Sequence, residues 1–182
     1  MKIFVISDTH GKTSKVTEVW SKLTNVDLVI HLGDYIEDAK NLERELETEV
    51  VWVKGNMDGS YSSEDYRILE TEYGNLLLTH GHMDNVKRSP LNLIYRAQEL
   101  GCKAVLFGHT HRPAYEEVNG IYLVNPGSLS MPRDGSDGSY AILHTSPDEF
   151  HCAIVYYSGL HPKKKPPASG RLREMLNNSD RF

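Results

Sequence analysis

Aspartate, asparagine and histidine residues recur in five short motifs, each of which follows an apolar run. The motifs are Asp8-Thr9-His10, Gly33-Asp34, Gly55-Asn56, His80 and Gly108-His109-Thr110-His111. Carboxylate, amide and imidazole groups all bind divalent cations, and two cations about 3.5–4 Å apart need a carboxylate that can bridge them. The set predicts a two-metal hydrolytic site, with Asp34 as the candidate bridging ligand.

Taken singly, most of these motifs have an ordinary structural explanation. Asp8-Thr9-His10-Gly11 could be a turn that caps a helix, and Gly-Asp or Gly-Asn pairs are common in turns. The two histidines at 109 and 111 are less ordinary, because imidazoles two residues apart after a buried strand are poor turn formers and good ligands. The occurrence of all five motifs in one chain favours the metal-binding interpretation.

The position of the motifs along the chain supports the same interpretation. Each one follows a segment that reads as a strand, and ligand sites in α/β folds gather at the carboxyl ends of strands. Five separate segments could therefore deliver polar side chains to one rim of the fold. Loops that carry function on a rigid scaffold have this arrangement.

The first half of the chain alternates strand-like and helix-like segments. The predicted strands are Ile3 to Ile6, Leu28 to Leu32 and Val50 to Val53, whose β-rich runs suit strands buried on both faces. Spacings of three and four residues give one helical stripe at Val16, Val19, Trp20 and Leu23, and Leu42 with Leu46 marks a second, weaker helix. Ser89-Pro90 and Gly101 bracket a third helix at about 90–100.

The second half is richer in strands. Extended segments are predicted at Tyr66 to Glu70, Asn75 to Thr79, Lys103 to Phe107, Ala114 to Val118, Ile121 to Asn125, Tyr140 to His144 and Phe150 to Tyr157. Asn119-Gly120 is a strong signal for a two-residue hairpin turn. So many strands in a short chain predict an α/β protein made of a two-sheet β-sandwich flanked by helices. We expect one domain over residues 1–160 and a tail over 161–182, with a short helix near Leu172 to Leu176.

Composition limits the remaining function classes. The chain has 182 residues and a formal charge of −5, which disfavours a broad nucleic-acid footprint. Its one basic run, Lys163-Lys164-Lys165, lies among prolines and is typical of a solvated tail. No stretch has the roughly 18–20 apolar residues of a membrane span, and the first residues do not resemble a signal peptide. With only two cysteines and no CxxC spacing, we expect a cytoplasmic protein without a thiolate metal site.

The ordered motifs resemble those of the calcineurin-like metallophosphoesterases, which share D-x-H, G-D, G-N-x-D, H and G-H-x-H in this order. Asn125-Pro126-Gly127-Ser128, Pro132-Arg133 and the small size are similar to the YfcE-type phosphodiesterases in particular. The resemblance covers residues 1 to about 157. It implies the metallo-dependent phosphatase-like fold, a β-sandwich flanked by helices, which agrees with the strand pattern.

The resemblance also implies a ligand set. One metal would be held by Asp8, His10, Asp34 and His111, and the second by Asp34, Asn56, His80 and His109. Family members usually hold Mn²⁺, Fe, Ni²⁺ or Zn²⁺, and we expect two divalent ions here with Mn²⁺ as the leading choice. Two such ions lower the pKa of a shared water, so a metal-bridging hydroxide would attack the phosphorus of a small phosphoester.

The expected proton donor for the leaving group is altered in this chain. Larger family members commonly have a histidine after the Gly-Asn pair, whereas this chain has Met57, whose thioether cannot donate a proton. Either the leaving group needs little protonation or another residue such as His82 supplies the proton. His82 reads equally well as a solvent-facing loop residue. Asp58 is predicted to orient a ligating imidazole.

Two further residues are candidates for substrate contact. Asn56 would lie beside the reacting phosphate, and Arg133 has the guanidinium that phosphate prefers. A simple loop after the hairpin also explains the segment that carries Arg133.

Three functions fit the resemblance. The main expectation is a phosphodiesterase acting on a small-molecule phosphoester, and the alternatives are a phosphomonoesterase or a protein-binding scaffold like Vps29, which has a similar fold. All seven ligand positions are filled here, which favours an enzyme over a scaffold. An exposed strand edge could also support a homo-oligomer.

Overall fold

The computed structural model describes residues 1–59 and 65–157. The helices are α1 (Ser14–Trp20), α2 (Ile36–Leu46) and α3 (Leu91–Glu99). The strands are β1 (Lys2–Ile6), β2 (Leu28–His31), β3 (Val50–Trp52), β4 (Tyr66–Thr71), β5 (Gly74–Thr79), β6 (Ala104–Phe107), β7 (Pro113–Val118), β8 (Ile121–Pro126), β9 (Ser139–Thr145) and β10 (Phe150–Tyr156). The predicted tail, its basic run and its short helix lie outside the described residues.

The strands form two five-stranded mixed sheets. The first has the order β10-β9-β1-β2-β3, and the second has the order β4-β5-β6-β8-β7. Each sheet has three neighbouring parallel strands, β1, β2 and β3 in one and β5, β6 and β8 in the other. In the first sheet β9 and β10 add antiparallel strands beside β1 and β3 is the opposite edge, whereas in the second sheet the antiparallel strands β4 and β7 form both edges.

Three apolar clusters hold the layers together. The largest lies between the two sheets and includes Ile30 of the first sheet and Leu106 of the second, both fully buried. A second cluster packs α1 and α2 on the outer face of the first sheet, and a third packs α3 on the outer face of the second. Removing a leucine such as Leu106 from this core would cost about 2–5 kcal/mol. The predicted two-sheet sandwich flanked by helices is confirmed.

Element boundaries follow local chemistry. The apolar stripe predicted for α1 runs past its end, because the helix stops at Trp20 and Leu23 lies in the following turn. The third helix begins at Leu91 instead of Pro90, and Ser89 Oγ accepts a hydrogen bond from the Leu91 N–H. Asn119 and Gly120 both have positive φ angles, of 53° and 77°, as the predicted hairpin turn requires.

The parallel strands explain how distant motifs meet. Asp8, Asp34 and Asn56 follow β1, β2 and β3, which are neighbours in the first sheet. His80 and His109 follow β5 and β6, which are neighbours in the second. The carboxyl ends of both sets of strands therefore deliver their loops to one edge of the sandwich. Among the described residues, no helix is long and apolar enough to cross a membrane.

Candidate metal centre

Four side chains from three loops converge on one point. Asp8, His10, Asp34 and His111 each offer a ligand atom, and these atoms all lie within 4.8 Å of one another. His10 Nε2 lies 3.4 Å from His111 Nε2 and 3.6 Å from Asp34 Oδ2, and His111 Nε2 lies 3.2 Å from Asp8 Oδ1. Ligands that bind one ion at about 2.1 Å stand roughly 3.0–3.4 Å apart, so these spacings suit a common cation.

The hydrogen bond of His111 to the main chain fixes the tautomer of its neutral ring. Its Nδ1 lies 2.7 Å from the Met131 carbonyl, an acceptor only, so in the neutral ring Nδ1 carries the proton and Nε2 has a free lone pair. That lone pair faces Asp8 Oδ1, which is fully buried and receives no hydrogen bond from any described residue. Two buried acceptors at 3.2 Å require a proton or a cation between them. The arrangement fits a metal ion.

A second set of ligand atoms adjoins the first. His80 Nδ1 donates to the Leu32 carbonyl at 2.7 Å, which leaves Nε2 as an acceptor facing the site. His80 Nε2 lies 3.4 Å from Asp34 Oδ1 and 3.2 Å from His109 Nδ1. Asp34 thus directs Oδ2 to His10 and Oδ1 to His80, which is the geometry expected of a bridging carboxylate.

Burial and charge together set the protonation of these groups. Burial raises the pKa of Asp8, but the neighbouring His111 and His80 imidazoles outweigh it, and the pKa lies below its ordinary value. Burial, with His80 nearby, lowers the pKa of His109 to about 4. Burial opposes protonation of His111, yet contact with the Asp8 carboxylate raises its pKa. Asp8 is therefore anionic and His109 neutral near pH 7, the forms that bind metals.

The backbone of the first ligand set is strained. Asp8, His10, Asp34 and His111 have φ angles of 56°, 50°, 58° and 57°, all in the left-handed region that non-glycine residues rarely adopt. Each such residue costs about 1–3 kcal/mol and persists only where its surroundings hold it. The cluster is therefore maintained by the rest of the fold at the expense of local stability.

Glycines allow the loops to approach closely. A Cβ at Gly55 would lie 2.2 Å from Asp34 Oδ1, and one at Gly33 would lie 2.8 Å from His80 Nδ1. A Cβ at Gly108 would lie 2.0 Å from Ser7 Oγ and 2.9 Å from Asp8 Oδ2. These glycines, which singly look like turn formers, are required because a side chain would occupy the space of the ligands.

A buried polar network holds the loops of Asp8, His10 and Asp34, and sequence reasoning missed it. His31 Nδ1 accepts from the Gly33 N–H at 3.2 Å, so its Nε2–H donates to Thr9 Oγ1 at 2.9 Å. Thr9 then donates to Asp38 Oδ2 at 2.6 Å, which also accepts from the Gly11 N–H at 2.7 Å. Burial lowers the pKa of His31 to about 4, so it stays neutral. The clue to this network in the sequence was Thr9, a hydroxyl residue between the candidate ligands Asp8 and His10.

The segment after β8 supports the cluster from another side. Ser128 Oγ and Ser130 Oγ each donate to the Asp8 carbonyl at 2.9 Å. Buried Asn125 donates to the Gly108 carbonyl at 2.8 Å, and its Oδ1 accepts from the Gly127 N–H at 2.9 Å. The Asn125 to Ser128 motif thus fixes the loops that carry Asp8 and His109.

Asp58 binds main-chain groups. Its Oδ1 accepts from the N–H groups of Tyr35 and Ile36, at 3.0 and 2.8 Å, and its Oδ2 accepts from the Gly55 N–H at 2.9 Å. Asp58 therefore ties the loop after β2 to the loop after β3. Its orienting effect reaches Asp34 through the backbone.

The other predicted residues lie at the edge of the cluster. The His82 ring centroid is 5.4 Å from that of His80 and 6.1 Å from that of His109, and burial and His80 lower its pKa. Asn56 is exposed, next to Met57, whose N–H donates to Asp34 Oδ1 at 2.9 Å. Arg133 is exposed, and its N–H donates to the His111 carbonyl at 3.0 Å.

Comparison with known proteins identifies the family. The model of the calcineurin-like phosphoesterase superfamily domain matches residues 1–148. The chain is 38% identical over 144 residues to the probable metallophosphoesterase YsnB of Bacillus subtilis, covering 79% of this chain and 83% of the relative. It is 32% identical over 168 residues to the phosphodiesterase YfcE of Escherichia coli, covering 79% and 87%.

Solved structures agree with this assignment. A predicted phosphoesterase from Streptococcus pneumoniae superposes with a TM-score of 0.72 at 31% identity, covering 85% of this chain and 88% of the other. A Vps29 variant from Entamoeba histolytica superposes with a TM-score of 0.69, covering 87% and 100%, but at 22% identity it shows a common fold alone. The chain belongs to the calcineurin-like phosphoesterase superfamily.

Proposed function

We propose that this protein is a phosphodiesterase that binds two divalent cations and hydrolyses a small phosphoester. One observation carries the proposal: Nε2 of His111 and the buried carboxylate oxygen of Asp8 face each other at 3.2 Å inside a four-ligand cluster. Asp34 connects this cluster to His80, so both ion positions would share one carboxylate. The family and its phosphodiesterase relative support the reaction class.

The first position would be held by Asp8, His10, Asp34 and His111, and the second by Asp34, Asn56, His80 and His109. When bound, such ions lower the pKa of coordinated water and neutralise charge on the phosphoryl oxygens. The protein side chains supply the ligands, and the hydrogen bonds around Asp8, His10 and Asp34 hold the loops that carry these three. Because the set mixes oxygen and imidazole donors, it suits Mn²⁺, Ni²⁺, Zn²⁺ and Fe, and we propose Mn²⁺ first.

Protonation of the leaving group is assigned to His82. Met57 is 58% exposed and cannot donate a proton, whereas the His82 ring lies beside His80 and His109. Its Nδ1 is buried and has no hydrogen-bond partner among the described residues. His82→Ala should slow hydrolysis of an alkyl ester far more than that of a p-nitrophenyl ester, whose leaving group needs no proton. Equal losses on both esters would contradict this role.

The remaining polar residues have supporting roles in the proposal. Asn56 and Arg133 are exposed, Asn56 precedes Met57, whose N–H donates to Asp34 Oδ1, and the Arg133 N–H donates to the His111 carbonyl. We assign both side chains to contact with the phosphoryl oxygens. Asp58 is assigned to holding the Asp34 and Asn56 loops together through its three main-chain hydrogen bonds.

The test is metal reconstitution. Protein stripped with chelator is given Mn²⁺, Ni²⁺, Zn²⁺ or Mg²⁺ singly, and hydrolysis of bis-p-nitrophenyl phosphate is compared with that of p-nitrophenyl phosphate. We expect metal-dependent turnover, faster on the diester. Faster turnover of the monoester would indicate a phosphomonoesterase. Two bound ions without turnover of either compound would overturn the proposal in favour of a protein-binding role.

A further inference from the structure

Tyr35 has a backbone conformation that a bulky residue adopts only under constraint. It follows Asp34 directly and has φ 81° and ψ 72°, in the left-handed region, at the N-terminus of α2. Asp34 is left-handed as well, so two consecutive non-glycine residues have this conformation. Glycine or asparagine would fit such a position at less cost. A tyrosine here suggests a use for its side chain.

The strained conformation is held from outside the helix. The Asp58 carboxylate accepts hydrogen bonds from the N–H groups of Tyr35 and Ile36, and it also accepts one from the Gly55 N–H. The Tyr35 carbonyl accepts from the Asp38 N–H at 2.9 Å in the first turn of α2. These bonds fix the main chain, and none of them uses the ring.

The ring of Tyr35 lies beside the metal ligands instead of in a core. Its centroid is 5.4 Å from that of His10 in an edge-on arrangement, and the residue is 39% exposed. The three buried apolar clusters do not include it. Met57, bound through its N–H to Asp34 Oδ1, is exposed too. An aromatic ring and a thioether therefore stand on the two chain segments that meet at Asp34.

We propose that Tyr35 and Met57 form a subsite for the organic group of the phosphodiester, and that this group is a flat aromatic ring. The inference rests on the proposed function, because it places the phosphate at the metal cluster. A tyrosine face stacks on flat rings, and a methionine sulfur contacts ring edges favourably. The subsite would select diesters whose non-leaving alcohol is an aryl or nucleoside-type group over those with a small alkyl group.

The test compares two diesters that release the same alcohol and differ in the organic group they retain. Bis-p-nitrophenyl phosphate and methyl p-nitrophenyl phosphate release the same p-nitrophenolate, but one keeps an aryl group and the other a methyl group. Metal-loaded wild-type protein should prefer the aryl diester in kcat/KM by more than the ratio of the two uncatalysed hydrolysis rates. Tyr35→Asn, which keeps a residue tolerant of the left-handed conformation, should lower that kcat/KM roughly tenfold and leave the methyl diester within about twofold.

Matched variants distinguish loss of the aromatic ring from disturbance of the fold. Tyr35→Phe should retain the preference, because it keeps the aromatic face. Tyr95→Asn removes an exposed tyrosine on α3, 61% accessible and outside the site, and should change neither rate. Met57→Ser should reduce the preference in the same direction as Tyr35→Asn. Metal affinity from calorimetry should be equal in wild type and Tyr35→Asn.

The following results would contradict either the inference about Tyr35 or the proposed function. Equal loss on both diesters, or weaker metal binding, in Tyr35→Asn would show that Tyr35 acts on the ligand loop, and the inference would be overturned. A wild type that hydrolyses both diesters equally well would also overturn it, while leaving the phosphodiesterase proposal intact. A wild type that binds two ions and hydrolyses neither diester would refute the proposed function itself.

Discussion

The two ligand groups differ in how firmly the fold holds them. In the first group, Asp8, Asp34 and His111 are buried, and all four members have left-handed backbones. In the second, His109 is also left-handed, with a φ of 65°, but His109 is only half-buried and Asn56 is exposed, while His80 is buried. The first group also has its own buried network, through Thr9 and Asp38. Asp34 belongs to both.

If both proposed ion positions are filled, this difference in burial predicts that the first is pre-formed and the second is more adaptable. Ligands held by strain and hydrogen bonds lose little freedom when a cation binds, so their affinity is high. An exposed amide such as Asn56 must be ordered on binding, which weakens its contribution. We expect two unequal classes of metal site, the tighter one built on Asp8 and His111.

The largest effect is expected where the two groups join. Asp34→Asn removes the shared charge, so both ions should bind more weakly and kcat/KM on bis-p-nitrophenyl phosphate should fall roughly 1,000-fold. Calorimetric metal titration and steady-state kinetics measure the two quantities. Two ions still bound with full activity would show that Asp34 does not bridge.

A pair of substitutions separates the two groups. His10→Ala removes a ligand of the first group only and should weaken the tighter metal class roughly 100-fold. Asn56→Ala removes the exposed ligand of the second group and should weaken only the looser class, by roughly tenfold. Titration of both variants with Mn²⁺ checks the assignment. Loss of the same class in both would mean that the groups are not distinct.

A side chain that prevents the close approach of the loops should have a smaller effect, measured as a loss in the free energy of unfolding. Gly108→Ala would place a Cβ 2.0 Å from Ser7 Oγ, so the β6 loop must shift, at a cost of about 2 kcal/mol in the free energy of unfolding. Urea unfolding measures that cost, and metal affinity should fall with it. The control is Gly101→Ala, which meets no atom within 4 Å and has only its φ of +65° to accommodate. It should cost about 1 kcal/mol without changing metal affinity.

The sequence predicted the fold because strands, helices and turns depend on local patterns. The ligand set was implied by the resemblance of the motifs and stays a prediction. Short β-rich apolar runs marked the strands, and the Asn119-Gly120 pair marked the hairpin. The supports of the site could not be predicted, because they join residues far apart in the chain. The Asp58 carboxylate accepts hydrogen bonds from the N–H groups of Tyr35 and Gly55. The His31 ring at the end of β2 is hydrogen-bonded to the Thr9 hydroxyl, which follows β1. A residue type alone does not say which backbone amide it will face.

The smallest effect tests the network beneath the first group. Thr9→Val keeps the size of the side chain but removes the hydroxyl that donates to Asp38 and accepts from His31. With both partners left buried and unpaired, the loops of Asp8, His10 and Asp34 should relax, and the tighter metal class should weaken roughly tenfold. Thr9→Ser restores the hydroxyl and should restore affinity. If Thr9→Val lowers stability and leaves that affinity unchanged, the network supports the fold and not the metal site. A loss confined to the tighter class would instead show that a hydroxyl that touches no ligand directly sets the difference between the two groups.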